Sequence, residues 1–143
     1  MTAPAESASP RHDPDLPARL LHAEHDTLLP LLRAAPAEAF GQPTACPDWP
    51  VRDVLAHCAA VLTRVITGQL NEFTPDLNEL DVAERRSWPL PRLLDELADG
   101  YRTAGPLMSE GLRPGIIALG VWVHGGDVRD ALGEPQPYGR EGF

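Results

Sequence analysis

The sequence predicts an all-α protein, most simply a four-helix bundle with one long connection. Four stretches carry apolar residues at intervals of three and four, a spacing typical of amphipathic helices. Prolines cluster between these stretches, where they indicate helix boundaries. No stretch between turn signals alternates strongly at a period of two, so nothing in the sequence indicates a strand.

The first predicted helix spans residues 16–35, and the second spans residues 50–70. Asp15 can cap the first helix, and Pro30 should kink it or end a turn early. The apolar stripe of this helix is formed by Leu21, His25, Leu28 and Leu32. In the second helix a broader apolar stripe covers one face, and Asp48 provides a cap just before it.

A polar connection follows the second helix, and residues 80–86 are expected to form a short helix within it. The third long helix is predicted over residues 90–112 and the fourth over residues 115–132. Gly133 is a natural C-terminal stop for the last helix, because glycine is the residue that most readily ends a helix.

Composition restricts the partners of this chain. Its 143 residues fit one domain, with residues 1–14 predicted as a disordered lead, residues 15–138 as the bundle and residues 139–143 as a tail. The formal net charge of -9 argues against nucleic acid and against anionic membranes. No apolar run reaches the ~18 residues of a membrane helix, and the N-terminal segment lacks the apolar core of a signal peptide. We therefore expect a cytoplasmic protein.

Two histidines are the strongest candidates for chemistry. His57 lies at the edge of the second apolar stripe, and His124 lies in the middle of the fourth. Histidines far apart in sequence can meet inside a bundle, which is how bundles build metal and acid–base sites. Asp53 and Asp127 each lie one helical turn from one of these histidines and could orient it, although Asp53 could also simply favour its helix start. His25 could reach the same interior, or could be a packed histidine of the core.

Other chemical motifs are absent from the sequence. There is no close H-x-x-x-H or H-E-x-x-H pair, no glycine-rich phosphate loop and no nucleophile elbow. The two cysteines make no disulfide framework and no zinc-ribbon spacing. We expect Cys58 in the core and Cys46 in a loop, with no cation beside it to activate its thiol.

Two segments resemble a known family. Residues 43–57, PTACPDWPVRDVLAH, resemble the motif P-T-x-C-P-x-W-T-V-R-D-L-x-x-H of the N-terminal domain of mycothiol-dependent maleylpyruvate isomerase and its relatives, within the DinB/YfiT-like superfamily. Residues 122–135, WVHGGDVRDALGEP, are similar to the family's E-x-W-V-H-x-x-D-V-R-x-A-L-G-x-P. The resemblance extends over residues 16–138.

The resemblance implies an up-down-down-up four-helix bundle with a divalent metal, such as zinc or nickel, near one end. It implies ligands at His57, at His124 and at the position four residues before His124. That position is Gly120, which carries no donor atom. We therefore expect weak or absent metal binding unless His25 or Asp127 supplies the third ligand.

The resemblance also implies thiol chemistry. In a site with its metal, the ion would lower the pKa of a low-molecular-weight thiol such as mycothiol and hold the thiolate against an electrophile. The leading expectation is a thiol-dependent isomerase or S-transferase acting on a small electrophilic molecule, with His57 and His124 as catalytic residues and an incomplete metal site.

Two alternatives remain open at this point. The chain could be a non-catalytic helical module for binding or dimerisation, or a metal-free enzyme in which His57 or His124 is a general base. A small-molecule substrate is the expected partner, and a homodimer is one possible assembly. The family also places a tryptophan at Trp49, which we expect to pack over the start of the second helix rather than to touch substrate.

Overall fold

Helices dominate the computed structural model, which describes residues 15–69, 74–108 and 112–134. In chain order they are α1 (Leu16–Ala34), a short 3-10 helix (Ala37–Gly41), α2 (Val51–Thr67), α3 (Pro75–Arg85), α4 (Leu90–Met108) and α5 (Leu112–Ala131). These ranges contain no strand beyond an isolated bridge between Pro43 and Pro50. The predicted all-α class is confirmed, and the predicted lead (residues 1–14) and tail (residues 139–143) lie outside the described residues.

The four long helices surround one apolar core. α4 and α5 each pack against both α1 and α2, so α1 and α2 occupy opposite corners of the bundle. The core draws on all four helices, and its most completely buried side chains include Leu21, Leu28, Leu55, Leu62, Leu93, Leu97 and Tyr101. None of the described helices is long and apolar enough to span a membrane.

The end of α2 and the start of α3 differ from the prediction, because residues next to each helix determine where it ends or begins. α2 ends at Thr67 because Gly68 adopts a left-handed conformation with φ of 79°, which stops the helix before residue 70. α3 begins five residues earlier than expected. The Thr74 hydroxyl accepts a hydrogen bond from the Leu77 N–H at 3.1 Å, and Pro75 occupies the first turn.

Ion pairs hold α3 against the bundle. Arg64 of α2 donates two hydrogen bonds to Asp81 of α3, at 2.7 and 3.0 Å. Arg85 of α3 donates two to Glu96 of α4, at 2.7 and 2.8 Å. These contacts fix α3 over α2 and thereby fix Asn78, which lines the cavity described below.

The buried face of α1 differs from the prediction by one residue. Glu24, not His25, lies inside, with 1% of its surface exposed. Arg129 of α5 donates hydrogen bonds to its two carboxylate oxygens at 2.7 and 3.2 Å, and also to Thr27. His25 instead stands at the surface with its Nδ1 atom 3.2 Å from Asp26. A charged residue is buried here because its partner on α5 is buried with it.

Gly125 permits the close approach of α5 to this ion pair. A Cβ atom at this position would lie 1.8 Å from Oε2 of Glu24, which is far inside contact distance. Burial raises the pKa of the Glu24 carboxyl, and the hydrogen bonds and charge of Arg129 oppose that rise. The pair therefore fixes how α5, the helix that carries His124, sits against α1.

Candidate functional site

A rigid turn before α2 places Cys46. The Thr44 hydroxyl accepts a hydrogen bond from the Cys46 N–H at 3.0 Å and donates one to the Trp49 carbonyl at 2.7 Å. Within the turn, Asp48 has φ of 69°, a left-handed conformation that residues other than glycine rarely adopt. Such backbone conformations persist where the surrounding contacts determine them. The thiol of Cys46 is thus held in place by its own loop.

The structure brings His57 and His124 together. Their ring centroids lie 5.2 Å apart, with the rings nearly perpendicular. Trp49 covers the other side of His57 with its ring centroid 5.1 Å away, packs against the core, and donates its indole N–H to Glu79 at 2.7 Å. His124 has 26% of its side chain exposed, so it lies at the edge of the bundle rather than in the middle of the buried face as predicted.

Only one of the two predicted carboxylate partners reaches its histidine. Asp127 places Oδ2 3.2 Å from Nδ1 of His124. Asp53, in contrast, accepts two hydrogen bonds from Arg86, at 3.0 and 3.3 Å. The idea that Asp53 orients His57 is therefore wrong. The Nδ1 atom of His57 is buried and has no hydrogen-bond partner among the described residues.

Cys46 is the site residue that the sequence analysis missed. Its Sγ atom lies 3.7 Å from Nδ1 of His124 and 3.8 Å from Oδ2 of Asp127. These three residues present donor atoms that all lie within 4.8 Å of one another, and no other group of three His, Cys, Asp or Glu residues in the described part of the chain does so. His57 adjoins this group without belonging to it, and His25 is not brought to it. One feature of the sequence could have indicated that Cys46 is a site residue. It lies between Thr44, which fixes the turn, and the start of α2.

Burial shifts the proton affinity of two of these groups. Desolvation raises the pKa of the Cys46 thiol, and the charge of Asp127 raises it further. Desolvation lowers the pKa of His57 to about 4, and the neighbouring His124 contributes to this shift. Without a bound cation, the thiol is therefore protonated and His57 is neutral at neutral pH.

A small cavity of about 150 Å³ opens beside the two imidazoles. It is lined by His57, Val61, Asn78, Ile117, Gly120, Val121 and His124. A Cβ atom on Gly120 would meet nothing within 4 Å, so the glycine leaves open space at this wall. The position at which the resemblance implies a metal ligand is therefore part of a cavity wall in this chain.

The low pKa of His57 predicts acid sensitivity of the metal-free protein. The folded state has a pKa of about 4 at His57 against an ordinary value of 6.5, so the unfolded state binds more protons between these pH values. His57 therefore does not lower the free energy of unfolding above about pH 6.5. As the pH falls toward 4, the free energy of unfolding decreases by up to about 3 kcal/mol. Urea denaturation in chelator at pH 7 and pH 4.5 should show a smaller loss for His57→Gln than for the wild type. Equal losses would contradict the prediction.

Comparison with known proteins identifies the family. The model of the mycothiol maleylpyruvate isomerase N-terminal domain matches residues 21–109, more than half of the chain and the part that contains Cys46 and His57. This chain is also 33% identical, over 137 residues, to each of two bifunctional uridylyltransferase/uridylyl-removing enzymes. They come from Mycobacterium tuberculosis strains CDC 1551 / Oshkosh and ATCC 25618 / H37Rv. That similarity covers 84% of this chain but 16% of each enzyme, so the chain spans a small part of their length. No solved structure matches the chain. On the strength of the family match, the chain belongs to the family of the mycothiol maleylpyruvate isomerase N-terminal domain.

Proposed function

We propose that this chain is a thiol-dependent isomerase or S-transferase domain that acts on a small electrophilic molecule, with a mycothiol-type thiol as its second substrate. Family membership supports the class of chemistry. The observation that carries the proposal is the convergence of His57 and His124, with ring centroids 5.2 Å apart, at the wall of a cavity of about 150 Å³. Cys46 and Asp127 adjoin the same pair.

A divalent metal fits the donor chemistry of this site. Gly120 contributes no donor atom, but sulfur, nitrogen and oxygen donors lie within 4.8 Å of one another on Cys46, His124 and Asp127. The unpartnered, buried Nδ1 atom of His57 adds a further nitrogen nearby. When bound, a divalent cation supplies the charge that lowers the pKa of a thiol and stabilises its thiolate.

The chain's own residues provide orientation and a limited volume. In the metal-free chain, Asp127 orients the ring of His124 through its 3.2 Å contact with Nδ1. Val61, Ile117 and Val121 make apolar walls, whereas Asn78 and the imidazoles provide polar groups that can orient a substrate.

The cavity volume of about 150 Å³ is below the ~300–1,000 Å³ of pockets that bury a whole drug-sized ligand. Only the reacting ends of a thiol and of a small electrophile would therefore enter it. A cytoplasmic location is part of this proposal, because low-molecular-weight thiols keep that compartment reducing. The two cysteines of this chain are free thiols, as such a compartment requires.

The test is a thiol-consumption assay. The zinc- or nickel-loaded chain is mixed with mycothiol and a small electrophile such as maleylpyruvate. An S-transferase would consume free thiol, whereas an isomerase would convert the electrophile and release the thiol unchanged, so both quantities are followed. We expect a rate above the uncatalysed background that falls by about 100-fold or more in His124→Gln, since loss of a group that only supports a metal ligand already costs about 10–100-fold. His22→Gln is the matched control, because His22 is an exposed histidine on α1. A rate no higher than background with either metal, or an equal rate in His124→Gln, would contradict the proposal.

A further inference from the structure

We infer that this chain binds its metal through Cys46, His124 and Asp127, so that a loop cysteine takes over the donor role for which Gly120 has no side chain. The inference rests on the proposed function in assuming that the site uses a metal. It goes further by assigning a thiolate–imidazole–carboxylate ligand set that includes Cys46.

The separations of the three donor atoms match those of a zinc site. Zinc forms bonds of about 2.3 Å to thiolate sulfur and about 2.0–2.2 Å to nitrogen and oxygen, so tetrahedral geometry sets donor separations of about 3.4–3.6 Å. In this chain Cys46 Sγ lies 3.7 Å from His124 Nδ1 and 3.8 Å from Asp127 Oδ2. The remaining pair, His124 Nδ1 and Asp127 Oδ2, is 3.2 Å apart. A shift of a few tenths of an ångström would bring all three donors to one ion.

The three donors are held by two separate elements, α5 and the turn before α2. Both are already in place, so metal binding requires little rearrangement. His124 and Asp127 are three residues apart on α5, so both side chains project from one side of that helix. Cys46 is fixed by the Thr44 hydroxyl and by the bridge between Pro43 and Pro50. A site whose donors are already in place loses less entropy when a ligand binds.

The charges and ligand types select the ion. A cysteine thiolate and a carboxylate together neutralise one divalent cation, and thiolate ligands favour zinc over magnesium or calcium. Among the ion pairs of the described residues, Asp127 pairs with His124, whereas Arg129, two residues further along α5, pairs with Glu24. Three protein donors are also the usual number in catalytic zinc sites, which keep a further position for water or substrate.

A competing arrangement uses the same residues differently. In it, Cys46 and Asp127 only orient His124 through Nδ1, and the metal lies on the cavity side with His57 and His124. The two arrangements differ in whether sulfur binds the ion. This difference has a direct spectroscopic signature, because a thiolate bound to Co²⁺ gives an intense near-ultraviolet charge-transfer band.

The experiment is a Co²⁺ titration of the reduced, metal-free chain, followed by absorbance. We expect the charge-transfer band to saturate at about one equivalent of cobalt in the wild type, as a single tetrahedral site requires. Cys46→Ala should lose the band and bind cobalt at least about tenfold more weakly. Cys58→Ala is the matched control and should keep the band, because Cys58 is buried within α2 and is not one of the three clustered donors. His57→Gln should also keep the band.

Each outcome decides the question. A wild-type complex without the band would overturn the ligand set, and this result does not depend on any variant folding. Cobalt binding that survives Cys46→Ala but disappears in His57→Gln would place the metal on the cavity side and would leave the proposed function intact. If the thiol-consumption assay shows no metal-dependent rate while the band is present, the ligand set stands and the proposed function fails.

Discussion

Replacing Arg129 with leucine should lower the free energy of unfolding by about 3–5 kcal/mol, the usual cost of removing one partner from a buried ion pair. Glu24 has 1% of its surface exposed and receives both of its carboxylate hydrogen bonds from Arg129. Without that partner its carboxylate would be buried and uncompensated, or would have to take up a proton. Urea denaturation of the wild type and the variant at pH 7 measures the difference.

The control for this prediction removes both charges. A Glu24→Met, Arg129→Met double variant should recover most of the lost stability, because apolar side chains of similar volume often replace a buried ion pair without loss. A change of less than about 1 kcal/mol in Arg129→Leu would mean that the pair is not buried as described, since that is the range of exposed pairs.

Replacing Gly125 with alanine should cost about 2–4 kcal/mol, between the cost of overpacking a core and the cost of breaking the ion pair. The added Cβ atom would lie 1.8 Å from Oε2 of Glu24, so either the carboxylate or α5 must move. The helix propensity of alanine, about 1 kcal/mol better than that of glycine, offsets only part of this cost.

Gly120→Ala on the same helix is the matched control. Its Cβ atom would meet nothing within 4 Å, so the substitution should stabilise the protein by about 0.5–1 kcal/mol through helix propensity alone. Thermal denaturation of both variants checks the pair of predictions. Equal effects at the two positions would show that α1 and α5 do not approach each other as closely as the structure indicates.

The sequence was sufficient to predict the helices because apolar spacing depends on local geometry alone. All four long helices occur where the spacing indicates them, with two boundaries unchanged and six shifted by one to four residues. The start of α3 could also have been predicted, since Thr74 and Pro75 form an ordinary helix start. Its signal was obscured by the low apolar content of that segment.

The one-residue error on α1 has a long-range cause. His25 and Glu24 lie about 100° apart around the helix. Spacing alone favoured burial of His25, because burying a histidine costs less free energy than burying a glutamate. Arg129, the buried partner of Glu24, is 105 positions away in the sequence. Nothing local to α1 reveals that such a partner exists, so a buried charge could not be predicted there.

The candidate site could be predicted only in part for the same reason. The positions of two histidines on or beside apolar stripes, together with the family resemblance, predicted that His57 and His124 would meet. The approach of Cys46 to His124 depends instead on an irregular turn with a left-handed residue at Asp48, which periodicity cannot describe. The sequence left the role of Asp53 open between His57 and the helix start, and it could not reveal Arg86, its partner 33 positions away.

Metal content is the measurement that tests the central claim most directly. The chain, expressed with zinc and purified without chelator, is desalted and analysed for elements beside His124→Gln and the exposed-histidine control His22→Gln. The proposed metal site leads us to expect about one zinc ion per chain in the wild type and in the control, and almost none in His124→Gln, because His124 supplies a donor in either arrangement of the site. A wild-type chain that retains no divalent metal, or a His124→Gln variant that retains as much as the wild type, would contradict the account.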